Sequence, residues 1–230
     1  MNMNTKVTSK PRLLSELLRP QEIGDLTLPA SDIEHLSRMV TSRSIMNMLF
    51  YGKPGLGKTS TARAIGRLVG TDFYELNGSK EPNGGFVYNI QSFAMTMSFS
   101  GRQKICFIDD ADQLSKSTQS TLRYVIEETS RNCRFLLAVN DIKKIVPGIQ
   151  SAMLKIGFDI SKTDVADVKR RLITRYQRTL AEIGLCCDEA RLHEIIDMHF
   201  PDLRSIANRL EYEFALGVTI PPPTCLPKEL

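Results

Sequence analysis

The sequence predicts an α/β fold: a five-stranded parallel sheet covered by helices on both faces, followed by a small all-helical region. Three observations carry this reading. Short apolar runs alternate with stretches of helical periodicity between residues 45 and 158, the pattern of parallel strands joined by crossover helices. Between the first apolar run and the helix after it lies Gly52-Lys53-Pro54-Gly55-Leu56-Gly57-Lys58-Thr59, which fits G-x-x-x-x-G-K-[ST]. From Ser161 onward the pattern is helix only.

Taken in order, residues 1–12 read as a polar leader and residues 13–160 as the α/β core. Residues 13–19 form a short amphipathic turn that Pro20 ends, and residues 26–29 are extended. Ser31 and Glu34 have capping-box spacing, predicting a helix from there to about residue 43. Residues 45–51 are the first strand, and residues 59–69 place Ala62, Ile65, Leu68 and Val69 at helical spacing. A second strand over 72–77 leads into a Gly-, Asn- and Pro-rich loop at 78–85. A helix over 86–97, a strand over 104–108, a helix over 114–130, a strand over 134–139 and a fifth strand over 153–158 complete the core. In the helical region, 161–217, Val165, Val168, Leu172, Tyr176, Leu180 and Ile183 mark one long helix, followed by helices over 189–199 and 201–216. Pro221-Pro222-Pro223 cannot continue a helix, so residues 218–230 read as a Pro-rich extended tail.

Composition narrows the class without choosing a function. With 42% hydrophobic and 24% charged residues the chain is an ordinary globular one. No apolar run approaches the ~20 residues of a membrane span and the first ten residues have no apolar signal core, which predicts a cytosolic protein without membrane contact. Cys106, Cys133, Cys186, Cys187 and Cys225 form no C-x-x-C pair, so they read as buried fillers instead of a disulfide or zinc framework. A net charge of +4 permits a nucleic-acid or acidic partner and does not demand one.

The chemistry concentrates at three strand ends. In the loop of residues 52–60, ending in Lys58, Thr59 and Ser60, glycines let successive N–H groups curl round an oxyanion and the helix N-terminus adds partial positive charge. Lys58 can reach terminal phosphates, and Thr59 offers a hydroxyl to Mg²⁺. About fifty residues on, the apolar run from Ile105 ends in Asp109 and Asp110. Asp109 is placed to hold Mg²⁺ through water, and Asp110 to orient and deprotonate an attacking water. Read alone, such an end also fits a merely solvated strand tip. Asn140, closing the run from Arg134, fits a group that holds the water or touches a γ-phosphate, and equally a turn-starting asparagine.

These motifs, together with Leu17-Leu18-Arg19-Pro20, Leu76-Asn77-Gly78-Ser79, Ser100-Gly101-Arg102-Gln103-Lys104, Gln119-Ser120-Thr121-Leu122-Arg123, Asn140-Asp141-Ile142, Gln150-Ser151 and Phe200-Pro201-Asp202-Leu203-Arg204, resemble the AAA+ ATPases. Within them the chain is similar to the ATPase subunits of sliding-clamp loaders, the replication factor C and bacteriophage clamp-loader family, most like those of tailed phages. The resemblance spans about residues 13–216. It implies a sheet with the fourth strand between the loop strand and the acidic strand, and ATP and Mg²⁺ as ligands. It further implies Arg19 and Pro20 against the adenine, Asn140 as a first sensor, and Arg204 as a second sensor delivered by the helical lid. Gln119 and Arg123 match a helix that couples DNA or a neighbouring subunit to the acidic strand. Lys80, Asn83, Gly85 and Tyr88 match the DNA-contacting loop and helix start, without the basic residue the family carries near Tyr88. Phe93, Met95 and Met97 suit either clamp contact or core packing. Arg171, Arg175 and Arg178 share a helix face flanked by Asp164, Asp167 and Glu182 and read as a solvated surface.

The implied partners are a sliding clamp, further loader subunits and primed DNA, with the chain acting in the cytoplasm, including that of a phage host. Three departures shape the expectation. Asp110 stands where the family carries Glu, predicting slow hydrolysis. Ser151-Ala152-Met153 stands where the family's Ser-Arg-Cys supplies an arginine to a neighbour's ATP. No helical collar follows the lid. Two other readings stay open: a helicase-loader or initiator-like AAA+ ATPase, and an ATP-binding interaction module with little hydrolysis.

Overall fold

A computed structural model describes residues 13–80, 85–98, 101–185 and 187–216. Two compact units emerge: Pro20–Val168, and a second that joins the residues before Pro20 to those after Val168.

In the first unit, β1 (Met48–Tyr51), β2 (Phe73–Asn77), β3 (Lys104–Asp109), β4 (Cys133–Val139) and β5 (Leu154–Gly157) pair in parallel in the order β2-β3-β4-β1-β5. The fourth strand thus lies between the loop strand and the acidic strand, as the resemblance implied. Side-chain alternation explains why both faces must be covered. Phe135, Leu137 and Val139 of β4 enter one apolar cluster, with Cys106 and Ile108 of β3 and Leu49 of β1. Leu136 and Ala138 enter the opposite one, with Ile105, Phe107, Met48 and Phe50. Helices α2 (Ala30–Thr41) and α3 (Lys58–Val69) supply Leu36, Ala62 and Ile65 to the second cluster. Helices α4 (Gly85–Met95) and α5 (Lys116–Glu128) supply Phe86, Ile90, Leu122 and Val125 to the first. The register pairs Tyr51 with Val139 and Asn77 with Asp109, so the loops after β1, β2, β3 and β4 leave one edge of the sheet together. That edge is where open parallel sheets bind ligands.

Several local expectations are corrected. Helix α2 begins at Ala30 with Pro29 as its N-cap and no side-chain capping bond, so Ser31 and Glu34 lie inside it and Glu34 pairs with Arg38 one turn on. Pro29, with φ −54° and ψ 148°, already sets the entry, leaving the Ser31 hydroxyl no end to cap. The capping box of this region belongs to Glu22 and Asp25, around the 3₁₀ turn Ile23–Asp25. Helix α5 is capped by Ser115, whose hydroxyl accepts from Thr118 N–H at 3.1 Å. A five-residue helix, α6 (Pro147–Ser151), precedes β5 and was absent from the sequence reading, being too short to show a period.

In the second unit, α7 (Val165–Glu182, from Lys169 on), α8 (Glu189–His199) and α9 (Leu203–Ala215) bury Leu172, Tyr176, Leu180, Leu192, Ile195, Ile206 and Leu210 together. The same cluster takes Leu14 and Leu18, from α1 (Leu14–Leu17) and the residue after it. The short amphipathic turn counted with the α/β core therefore packs with the helical unit, because its two leucines fill that unit's core. The leader, the tail and part of the 78–85 loop lie outside the described residues. Among the described residues no helix is long and apolar enough to cross a membrane.

Candidate nucleotide site

The loop from Gly52 to Gly57 joins β1 to α3, and Lys58 is the first residue of that helix. Three backbone positions require glycine: Gly52, Gly55 and Gly57 have φ of 145°, 83° and 95°. At Gly52 a Cβ would also stand 3.1 Å from the Phe158 Cβ, so loop and sheet approach too closely for a side chain. Leu56 points into the core and pins the loop, while Lys53 and Pro54 are exposed. Thr59 and Ser60 lie half-buried in the first turn of α3, where N–H groups have no intrahelical acceptor.

The Lys58 ammonium is buried and donates to the carbonyls of Gly52 (2.6 Å) and Lys53 (2.8 Å) and to Asn140 Oδ1 (2.9 Å). Burial lowers its pKa; Asp109, Asp110, Asp112 and Asp159 oppose that by favouring the charged form. Beside it, Thr59 Oγ1 donates to Asp109 Oδ2 at 2.7 Å, bringing a hydroxyl and a carboxylate from α3 and β3 to one point. Burial raises the Asp109 pKa, and the Thr59 hydrogen bond acts the other way.

Asp110 follows in left-handed backbone, φ 50° and ψ 39°. Its carboxylate accepts from Asn140 Nδ2 (3.2 Å) and Asn77 Nδ2 (3.4 Å), so the tips of β2 and β4 hold it from two sides. Asp112, also buried, accepts from the Asn140 backbone N–H at 3.3 Å and fixes the residue that bridges Lys58 to Asp110. Lys58, Thr59, Asp109, Asp110 and Asn140 thus form one bonded group. Asn77 and Asp112 were not assigned roles from sequence. For Asn77 the signal was present: it is a polar residue ending an apolar strand, as Asn140 is.

The remaining candidates are distributed more widely. Pro20 is buried in the α/β unit, whereas Arg19 and Arg204 belong to the helical unit. Arg204 is exposed in the first turn of α9, its N–H donating to Asp202 Oδ1 at 3.0 Å. Lys80 is exposed just beyond β2, and Tyr88 is 70% exposed on α4. Asn83 lies outside the described residues. Gln119 is buried and bonds the Leu114 and Lys144 carbonyls and the Val146 N–H, tying the start of α5 to the segment after β4. Arg123 pairs with Glu127 and lies against Gly148 of α6, and Ala152 is exposed at that helix's end. Among the described residues no group of three His, Cys, Asp or Glu could hold a metal ion by itself. The Thr59–Asp109 pair matches instead the one or two protein oxygens that Mg²⁺ takes when phosphates complete its shell.

Residues 48–159, from β1 to two residues beyond β5, match the family model described as ATPase family associated with various cellular activities (AAA). With the sheet order and the loop, this match gives the α/β unit an AAA+ P-loop fold. The chain as a whole is similar to replication factor C subunits. Replication factor C subunit 3 of Oryza sativa subsp. japonica is 33% identical over 206 residues, covering 85% of this chain and 55% of that protein. Replication factor C small subunit of Methanosarcina acetivorans is 33% identical over 210 residues, covering 88% and 60%. The chain therefore spans 55% and 60% of the length of these two relatives. Among solved structures, the Thermotoga maritima RuvB Holliday junction branch migration motor superposes with a TM-score of 0.69 at 19% identity, covering 88% of this chain and 66% of that one. At that identity the likeness bears on fold alone.

Proposed function

We propose that the chain is the ATP-binding and ATP-hydrolysing subunit of a sliding-clamp loader, using ATP to open the clamp or load it on primed DNA during replication. The observation that carries this is the bonded line Lys58–Asn140–Asp110 beside the Thr59–Asp109 pair, in a chain similar over most of its length to proteins named replication factor C. In this reading the N–H groups of residues 52–60 cradle the phosphates, and Lys58 exchanges loop carbonyls for phosphate oxygens. Thr59 and Asp109 hold Mg²⁺, which neutralises charge on the phosphates. Asp110 accepts the proton of the water that attacks the γ-phosphate, and Asn140 positions that water or the oxygen it approaches. Pro20 serves the adenine side. Lys80, Asn83 and Tyr88 meet the DNA backbone. Other loader subunits complete the assembly, one supplying the trans arginine that Ala152 cannot.

The test is ATP turnover with purified clamp, primed DNA and partner subunits together. Stimulation by clamp and DNA is expected; turnover indifferent to both in every combination overturns the proposal. Lys58→Ala should lower stimulated turnover about 10²–10³-fold, followed as phosphate release.

A second reading, an ATP-binding interaction module that barely hydrolyses, is favoured by one observation: the short Asp110 side chain is held by Asn77 and Asn140. Tight ATP binding with turnover unchanged by Lys58→Ala would select it.

A further inference from the structure

We propose that the free edge of β2, together with the groove between β2 and α3, docks an extended acidic segment of a partner protein, which joins the sheet as a further strand. The surface uses the start of β2 and none of the side chains bonded to Lys58, Asp109 or Asp110.

Strand β2 closes one side of the sheet: among the described residues it pairs with β3 alone. The Asp72 carbonyl accepts from the Ile105 N–H at 2.9 Å, and the Gly78 N–H donates to the Asp109 carbonyl at 2.8 Å. The even-numbered residues between them therefore turn their backbone groups to β3. By alternation Phe73 and Glu75 turn both N–H and C=O outward, the template that an added strand needs. Glu75, the one charged side chain of β2, does not guard this edge, because Arg63 draws its carboxylate onto α3 through Nε at 2.8 Å and Nη2 at 2.5 Å. Beside the edge lies an open groove lined by Arg63, Gly66 and Arg67 of α3, by Gly70 at its end, and by Phe73 and Glu75 of β2. With no side chain on Gly66, the half-buried Phe73 ring lies against the helix. On the opposite face of β2 the half-buried rings of Tyr74 and Phe93 stand 5.0 Å apart.

Charge decides the occupant. Arg102 joins the two lining arginines at the groove's end, its Nη1 3.2 Å from the ideal Cβ of Gly70. Arg67 is held by the neutral carbonyls of Gln21 (2.6 Å) and Pro20 (3.2 Å), and Arg102 by those of Val69 and Gly70 (2.9 Å each), so both keep a full charge to present. Arg63 and Arg67 are four residues apart on α3, about 6 Å along its axis, and alternate side chains of an extended segment are about 6.7 Å apart. A segment with acids at every second position thus meets both arginines, and its intervening side chains, facing Tyr74 and Phe93, are apolar. Neither end of this chain has that composition: residues 1–12 hold Lys6, Lys10 and Arg12 and no acid, and residues 217–230 hold Glu229 alone, beside Lys228. A second copy set edge to edge would oppose arginine to arginine. A nucleic-acid backbone suits the arginines but leaves the outward carbonyls of Phe73 and Glu75 facing phosphate.

The experiment titrates the full chain with a short synthetic peptide of alternating aspartate and valine, blocked at both ends, reading affinity by fluorescence anisotropy and amide exchange by NMR. The same peptide with lysine for aspartate, and single-stranded oligothymidylate, are the comparison ligands. The acidic peptide should bind with a dissociation constant below about 1 mM and slow exchange of the Phe73 and Glu75 amides about tenfold or more, while the Tyr74 and Leu76 amides, already turned to β3, change little. Arg63→Gln and Arg67→Gln should each weaken it about three- to fivefold, and the lysine peptide should not bind. No binding below that concentration, binding without protection of Phe73 and Glu75, equal binding of the lysine peptide, or affinity unchanged in both arginine variants would each overturn the proposal. Oligothymidylate that binds more tightly than the peptide, and loses affinity in the same variants, would make the groove a nucleic-acid site and overturn it as well. Should either variant melt below the assay temperature, amide protection and the comparison of ligands in the unmodified protein still decide.

Discussion

Asp110 occupies left-handed backbone at φ 50°, a conformation that costs a non-glycine residue roughly 1–2 kcal/mol. The surroundings hold it there: Asn77 and Asn140 bond its carboxylate, and its carbonyl lies where a side chain on Gly78 would have to stand, 2.7 Å from that glycine's ideal Cβ. Its side chain is thus aimed by neighbours at two strand tips, which compensates in direction for what it lacks in length beside a glutamate. Asp110→Asn keeps the shape and, in the proposed reading, removes the base. It should cut ATP turnover about 10²–10³-fold while ATP affinity changes only a few-fold, a split measured by single-turnover hydrolysis and calorimetry. Equal losses in both would mean that Asp110 serves the fold of the site and not a proton transfer. At this scale most of the site was legible, because Lys58, Thr59, Asp109 and Asn140 each follow or end an apolar run. Asn77 carried the same strand-end signal as Asn140 without being given a role, whereas Asp112 had none, since its work is to hold the Asn140 backbone, and spacing along the chain does not reveal which amide a carboxylate will face.

Among the elements, strands and long helices were readable because burial imposes a period on them, and the errors fall where no period exists. Helix α6 has five residues, and the start of α2 was set by Pro29 and not by the serine after it. Gly66 shows a constraint that sequence could not voice: its ideal Cβ would lie 2.2 Å from Phe73 Cδ2, so a bare helix face is what lets β2 lay its ring against α3. Within the helical unit, Glu213 of α9 is buried at 1% exposure and accepts from Arg191 Nε of α8 at 2.9 Å and from Arg209 Nε at 2.8 Å. Bonds from Arg191 first, then from Arg209, hold its carboxyl below the usual glutamate range despite burial. A lowered folded-state pKa means that this stabilisation is present above the unfolded value, about 4.3, and is lost as pH falls through the folded one. Glu213→Gln removes the ionisable partner and should cost about 3 kcal/mol at pH 7, and less as the unmodified protein is acidified. Denaturant melts of the helical unit from pH 7 down to 3 would show the two proteins converging; a gap that stays constant with pH would refute the assignment.

For the whole molecule, the chain enters the helical unit, leaves it at Pro20 and returns after Val168, so that unit is assembled from two distant stretches. Sequence could not show this. The short turn at residues 13–19 displays an apolar face, but periodicity gives the existence of such a face and not the core it enters. The relevant leucines are Leu14 and Leu18, 5% and 3% exposed, packed with Leu172, Leu192 and Leu210 from a stretch more than 150 residues away. Truncating a buried leucine removes its transfer energy and leaves a cavity, together about 2–5 kcal/mol. Leu18→Ala should therefore loosen α8 and α9, although it lies only two residues before Pro20, where the α/β unit begins. Native-state hydrogen exchange distinguishes the outcomes. Amides of α8 and α9 should lose protection by a factor matching that energy, while those of β3 and β4, whose cores contain neither leucine, keep theirs. Equal loss of protection in β3 and β4 would show that the two units unfold as one and that the division at Pro20 and Val168 has no energetic meaning.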